Sequence, residues 1–335
     1  MTGRAVLCGV GHRLPERVVT NAELCARLGV SEDWIVSRTG ISTRRWVGPG
    51  EATSDLAVGA GRAALESAGG GPVDAVVLAT STPDHRSPAT APDVAARLGL
   101  GGVAALDVSA VCTGFLYGLA TAAGFIAAGV AERVLLVAAE AFSTLLDPDD
   151  PTTLPIFGDG AGAVVLRRGD ADEPGAVGPL VLGSDGERAD LITVLAGGAR
   201  IPLRDKAPDD GSQYFRMRGR EVFRHSVERM SAAATEALRG AGWELGDVDR
   251  VVTHQANARV SAALATRLGL RRDAVTQNIA EVGNTAAASI PVLLAQAASD
   301  GTLKPGHRVL LAAFGGGLTW GATTLTWPEI ETRGA

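Results

Sequence analysis

Segments of this chain recur in order, two of them at one fixed spacing. V-D-A-V-V at 73–77 returns as V-D-R-V-V at 248–252, and R-V-L-L-V at 133–137 returns as R-V-L-L-A at 308–312, each 175 residues later. A-L-E-S-A-G (64–69) is echoed by A-L-R-G-A-G (237–242), and F-G-D-G-A-G-A (157–163) by F-G-G-G-L-T-W-G-A (314–322). Pairs that keep their order describe a duplicated unit, so whatever fold the first half adopts the second half repeats. The unit itself is legible. Short runs apolar on both faces, at 73–80, 133–139, 163–166, 248–253 and 308–314, read as strands covered on two sides. Ala-rich segments with helical spacing lie between them, at 53–68, 90–98, 113–128, 219–240, 257–268 and 285–298. That alternation predicts an α/β fold. The turn-rich stretch from Arg168 to Gly178 separates the halves, which we set at 1–172 and 173–335. The Gly-, Pro- and charge-rich region 183–216 reads as an excursion of the second half beside a substrate entrance.

Several classes of function are disfavoured. A formal net charge of -6 with no basic run argues against nucleic acid as a partner. No apolar run approaches the roughly 18 to 20 residues that span a bilayer. The start M-T-G-R-A-V-L-C-G-V-G lacks the apolar core of a signal peptide. Three cysteines, Cys8, Cys25 and Cys112, form neither a disulfide framework nor a C-x-x-C pattern. A reducing cytoplasm is the expectation. The histidines do not space into a metal site. G-D-G-A-G is a poor dinucleotide fingerprint, and no Walker sequence is present.

Three short stretches carry candidate chemistry. Cys112, in D-V-S-A-V-C-T-G-F, follows a strand-like run and opens a helical one. A helix N-terminus favours a thiolate, and the small residues after it would let a substrate approach. Taken alone the segment is equally consistent with a buried structural cysteine, the reading we give to Cys8 and Cys25. His254 follows V-V-T at the carboxyl end of a strand, where ligands collect in open α/β sheets; capping of the strand end is its plain alternative. Asn284, in E-V-G-N-T, would by itself be a turn or cap residue. Together the three describe a cysteine nucleophile with two hydrogen-bond donors, suited to thioesters. F-G-G-G-L-T-W-G-A offers unshielded backbone N–H groups for an oxyanion.

With these segments in place, and with W-I-V-S-R-T-G-I (34–41) and M-R-G-R-E-V-F (217–223), the chain resembles the β-ketoacyl-acyl-carrier-protein synthase III family of thiolase-like condensing enzymes over nearly its whole length. The resemblance implies a five-layered αβαβα fold of two similar halves, and a homodimer. It implies a Claisen condensation in the cytoplasm: Cys112 takes an acyl group from a thioester, usually acyl-coenzyme A, and malonyl on an acyl carrier protein loses CO2. His254 Nε2 and Asn284 Nδ2 then hydrogen-bond the malonyl thioester oxygen, while the N–H groups of Cys112 and Gly316 hold the oxyanion. It also implies coenzyme A or substrate contacts from Trp34, Arg38, Phe157, Met217, Gly219, Asn257 and Phe314, and carrier-protein docking by Arg224, Arg259 and Arg267. Coenzyme A enters as a thioester substrate, with no metal or redox cofactor. Two positions depart from the family pattern. Pro151 stands where many members carry an arginine against the adenine. Ser87 stands where short-chain members carry a bulky aromatic, which would open the acyl pocket to a starter larger than acetyl.

A related acyltransferase, moving the acyl group to a hydroxyl, amine or thiol, is the alternative; intact His254 and Asn284 favour condensation. A non-catalytic partner subunit would be expected to lack Cys112. A thiolase proper would need a second cysteine in the C-terminal half, which has none.

Overall fold

A computed structural model describes residues 3–203 and 210–331. Two five-stranded mixed sheets form its frame. The first runs, edge to edge, through Arg4–Arg13, Gly160–Gly169, Arg133–Glu140, Ala75–Ala79 and Ala104–Val108. The second runs through Val181–Ser184, Thr319–Thr326, Arg308–Gly315, Arg250–Thr253 and Val275–Thr276. Strand directions correspond. In each sheet the three strands at one end are parallel, and the remaining two are antiparallel to their neighbours. The duplication read from the sequence is therefore a duplication of topology.

Helices make the other three layers. Thr53–Ser67 and Ala91–Arg97 cover the outer face of the first sheet, and Gly219–Ala241 and Ala258–Leu268 that of the second. Gly114–Ala127 and Ser289–Ser299 lie between the sheets. Position follows composition. G-F-L-Y-G-L-A-T-A-A-G-F-I-A carries no charge and buries Gly114, Phe115, Leu116, Gly118, Leu119, Ala122 and Ile126, whereas the charged helix Gly219–Ala241 buries the stripe Ser226, Met230, Ser231, Ala233, Ala234, Ala237 and Leu238. One apolar cluster joins Leu116, Leu119, Leu136 and Val164 of the first half to Ile290, Leu293, Val309 and Leu311 of the second. At about 25 cal/mol per Å² of apolar area, this shared layer ties the halves into one cooperative body. Gly162 permits the close approach, because a Cβ there would stand 2.5 Å from the nitrogen of Val292.

The region 183–216 first completes the second sheet with Val181–Ser184. It then forms a two-stranded ribbon, Ile192–Val194 with Phe215–Met217, that brings Ile192, Phe215 and Met217 to a cavity. Part of that excursion, 204–209, lies outside the described residues.

The repeat extends to backbone strain. Val111 and Ala286, again 175 residues apart, both have φ of 45°, a conformation that costs non-glycine residues energy. Each starts a sharp elbow, Val111–Thr113 or Ala286–Ala288, that feeds a central helix. Cys112 sits on the first elbow, and Ala287 occupies the matching place on the second.

Candidate active site

A cavity of about 790 Å³ opens at the seam between the halves, and Cys112, His254 and Asn284 all line it. Cys112 is 9% exposed. Thr113 Oγ1 donates to the carbonyl of Thr319, and Thr319 Oγ1 bonds back to Thr113 and to Gly316 O, which stitches the cysteine elbow to the glycine hairpin of the other half. The thiol is pushed up from its ordinary pKa, first by burial and then by the negative charge of Glu140. This corrects the helix-terminus expectation of a favoured thiolate. A helix end offers a partial charge, and burial outweighs it. Burial therefore favours the thiol over the thiolate at Cys112.

His254 stands just beyond the strand Arg250–Thr253, where its N–H bonds to Ala312 O at 2.9 Å. Burial pushes the ring down to about 3, so it is neutral at physiological pH. Its Nδ1 lies 2.7 Å from Ser289 Oγ. Asn284 is gripped from two sides. Its N–H bonds to Ile156 O and its carbonyl accepts from Gly158, so the F-G-D-G turn clamps it in place. Its side-chain Oδ1 accepts from Ala286 N–H at 2.9 Å, which leaves Nδ2 as the donor end, with one long contact of 3.4 Å to Ala256 O. Asp159 of the same turn is structural: buried, pushed up to about 6 by desolvation, and satisfied by Ser143 and the N–H of Val47.

The walls near the cysteine are aromatic. Phe157 stacks on Phe142 at 4.5 Å, and both meet Phe215 edge-on. Phe157 and Phe215 line the cavity together with Phe314 and Gly315. Trp34 and Arg38, on the helix Glu32–Thr39, stand at the mouth with Pro151, Met217, Gly219, Arg220 and Asn257. The Arg38 guanidinium lies 4.3 Å over the Trp34 ring. Asn257 is the N-cap of Ala258–Leu268: Oδ1 accepts from Arg259 N–H and Nδ2 donates to Arg38 O. Arg259 in turn donates to Ser37 O.

Four expected residues stand apart from the cavity lining. Gly316 packs toward Val111 and Ile192, next to Gly315, which does line it. Arg224 is exposed on Gly219–Ala241, beyond the rim, and Arg267 is exposed in the last turn of Ala258–Leu268. Ser87 is exposed on the loop that precedes Ala91–Arg97 and has no place in this chain's own cavity. Conversely, Ser289, Glu140, Gly315, Phe215 and Ile192 went unmarked in the sequence. A carboxylate closing the apolar run R-V-L-L-V-A-A-E was a usable signal for Glu140; nothing local distinguished Ser289.

Two halves of this topology, joined so that a cysteine from one faces a histidine and an asparagine from the other, are the architecture of the thiolase-like condensing enzymes. The model for 3-oxoacyl-[acyl-carrier-protein] synthase III matches residues 106–186, which hold Cys112, and the model for its C-terminal region matches 238–327, which hold His254, Asn284 and Gly316. The chain is 58% identical over 334 residues, 99% of both chains, to β-ketoacyl-[acyl-carrier-protein] synthase III 3 of Streptomyces coelicolor. It matches the crystal structure of 3-oxoacyl-(acyl carrier protein) synthase III from Pseudomonas aeruginosa with a TM-score of 0.91 and 49% identity, covering 98% of this chain and 99% of that one. It matches the priming β-ketosynthase of a polyketide biosynthetic pathway with a TM-score of 0.90 and 34% identity, covering 98% of each. The chain belongs to the 3-oxoacyl-[acyl-carrier-protein] synthase III family.

Proposed function

We propose that this protein condenses an acyl starter, delivered as a coenzyme A thioester, with malonyl-acyl-carrier protein to give a 3-oxoacyl-carrier protein, at the start of fatty-acid or polyketide assembly. The observation that carries this reading is the convergence of Cys112, His254 and Asn284 on one cavity, with the Asn284 amide turned so that Nδ2 is its donor end. Simple acyl transfer would have no use for that oriented amide.

Cys112 Sγ attacks the starter carbonyl and the starter thiol leaves, so the acyl group rests on the enzyme. Malonyl-carrier protein then binds with its thioester oxygen toward Asn284 Nδ2 and the His254 ring. Loss of CO2 leaves an enolate whose charge these groups stabilise; its carbon attacks the acyl-cysteine carbonyl, and collapse of the tetrahedral intermediate breaks the carbon–Sγ bond, freeing Cys112 and the 3-oxoacyl-carrier protein. The N–H of Cys112, with that of Gly316 as the second donor, receives the oxyanion; one such donor is worth about 3 kcal/mol. These groups account for every step, with no metal or redox cofactor in the scheme.

Trp34 and Arg38 suit the nucleotide end of coenzyme A, and Phe157, Met217, Gly219, Asn257 and Phe314 the channel for its arm. Pro151 offers the adenine no cation. Arg38, Arg220 and Arg259 around the mouth, with exposed Arg224 and Phe223 beside them, suit an acidic carrier protein; Arg267 belongs at most to the periphery of that surface. Three free cysteines are consistent with a reducing cytoplasm, and no helix among the described residues is long and apolar enough to cross a membrane. A homodimer is supported by the strand Ala104–Val108, which has one side unpaired among the described residues and carries neither the lysine nor the proline that guards an edge. Asp107 on that strand anchors the Ser87 loop through the N–H groups of Thr90 and Ala91. A second copy paired there would bring Ser87 close to the partner, the route by which it could influence an acyl pocket.

Intact-protein mass spectrometry tests the scheme. Cys112→Ala should take up no acyl group from an acyl-coenzyme A panel. Asn284→Ala should load normally and then fail to condense with malonyl-carrier protein. Normal condensation by the Asn284 variant would overturn the role assignment.

A further inference from the structure

Arg44 lies on the short strand Thr43–Arg45, opposite Val19 of Val18–Thr20, and is 0% exposed. Burial pulls its guanidinium down to about 10, while Cys25 and Glu23 act the other way, so it is a cation at physiological pH. Its hydrogen bonds go to neutral oxygens. Nη1 donates to Val19 O at 3.3 Å and to Asn21 Oδ1 at 2.8 Å, and Nη2 donates to Pro155 O. Nε has no partner among the described residues. A charge taken out of water and given neutral partners is costly to keep. What it joins is the N-terminal hairpin and the turn that clamps Asn284. Asn284 N–H donates to Ile156 O at 2.9 Å, and Gly158 N–H donates to Asn284 O at 3.0 Å. Pro155, which Arg44 grips, leads into that turn. A Cβ on Gly158 would stand 3.3 Å from Arg44 Cβ, and one on Gly283, just before Asn284, would stand 3.0 Å from it. The neighbours of Arg44 are tied to the same two segments: Asp159 N–H donates to Arg45 O at 2.7 Å, and Thr43 Oγ1 donates to Glu281 O at 2.8 Å. Pro155, Ile156 and Asn284 line the cavity, and Arg44 stands outside that lining.

We propose that Arg44 is a positioning residue for condensation: by gripping Pro155 O from the hairpin, it holds the turn at Phe157 in register with Asn284 and keeps the Asn284 amide directed at the malonyl thioester oxygen. The inference rests on Asn284 being the donor in that step, and it adds what holds the donor in place. Asn284 and the turn grip each other through backbone bonds. Two segments that hold only one another can shift together, so the pair needs an anchor outside itself. The guanidinium supplies it because its planar fork reaches two elements at once, Nη1 on the hairpin and Nη2 on the turn. A lysine ammonium is a point charge without that fork. Asn21 is preset for its part, since its Nδ2 donates to Ile41 O at 2.8 Å and leaves Oδ1 for Arg44. The cysteine elbow hangs on a different set of contacts, through Thr113 and Thr319. Loading of Cys112 and condensation therefore depend on Arg44 unequally.

Arg44→Lys keeps the charge and Arg44→Met removes it, and both are compared with Asn284→Ala by intact-protein mass spectrometry. The donor is whichever acyl-coenzyme A loads the wild-type protein fastest. Arg44→Lys should load Cys112 at the wild-type rate and then form 3-oxoacyl-carrier protein roughly 10- to 100-fold more slowly, the scale of a misplacement of about 1 Å. The fall should lie in kcat rather than in KM for malonyl-carrier protein. Arg44→Met should condense more slowly still, again with loading spared. Hydrogen exchange should quicken in the peptide that carries Asn284 and stay unchanged in the one that carries Cys112. Condensation at the wild-type rate in both variants overturns the proposal. So does an equal fall in loading and condensation, or failure of both variants to fold, since either makes Arg44 a residue of the fold at large. If Asn284→Ala condenses normally, the reading of Asn284 falls and this inference with it. If Asn284→Ala is inactive while Arg44→Lys is normal, only the part given to Arg44 falls.

Discussion

A Cβ on Gly315 would stand 2.8 Å from the backbone nitrogen of Cys112 and 3.1 Å from that of Thr113, covering the N–H that an acyl oxyanion would use. The matching residue of the first half, 175 positions earlier, is Glu140. There the strand end carries a carboxylate, and the N–H of Ala287, the counterpart of Cys112, helps to hold its charge. One elbow thus has its N–H filled by protein, and the other keeps it open for substrate. Gly315→Ala, which forces the Cys112 backbone to shift, should acylate Cys112 about 10²–10³ more slowly, the cost of one oxyanion donor; quench-flow mass spectrometry on protein whose circular dichroism matches wild type checks this, and an unimpaired rate would count against an oxyanion at that N–H. Among single residues, Cys112, His254 and Asn284 were legible because each sits in a distinctive local string. Gly315 and Ser289 were not, since their importance comes from a neighbour in space.

Among the elements, the strand Arg133–Glu140 couples stability to pH. Ser81 N–H donates to both oxygens of Glu140 and Thr82 Oγ1 donates to one, but burial pushes the carboxyl up to about 7. The folded state therefore binds this proton more tightly than the unfolded chain, whose carboxyl titrates near 4.5. The associated stability is fully present below that value and is lost as pH rises through 7. The whole effect is on the order of 3 kcal/mol. His254, lowered to about 3, works in the opposite sense, gaining stability as pH rises toward 6.5, and Asp159, raised to about 6, works in the same sense as Glu140. Subtracting wild-type from Glu140→Gln urea-denaturation curves at pH 5 and pH 8 cancels both. The variant should lose less stability between these pH values than the wild-type protein; an identical loss would show that Glu140 does not titrate in this range. Element positions followed the predicted segments closely: the run 113–128 became Gly114–Ala127 and 219–240 became Gly219–Ala241. The segment 285–298 divided into the elbow Ala286–Ala288 and the helix Ser289–Ser299, a break that Ala-rich periodicity cannot show. The ribbon Ile192–Val194 with Phe215–Met217 escaped notice because three-residue strands carry too little pattern.

For the whole molecule, the open side of Ala104–Val108 predicts a particle of two chains by sedimentation or light scattering. Ala104 is exposed in the single chain, so Ala104→Lys costs the monomer little and should shift the mass toward one chain by placing a solvated charge on the edge. A dimer unaffected by that substitution would place the interface elsewhere. The sequence by itself determined the duplication, the α/β alternation and the three reactive side chains, because hydrophobic period and short motifs are local properties that a string records. Only the tertiary structure decided how the halves meet. Thr113 bonds to Thr319, 206 residues away, Gly315 leaves Cys112 its N–H, Ser289 engages His254, and burial turns the expected thiolate into a thiol. Each of these depends on which surfaces two similar layers bury against one another, and desolvation at that seam is set by packing in three dimensions rather than by neighbours along the chain.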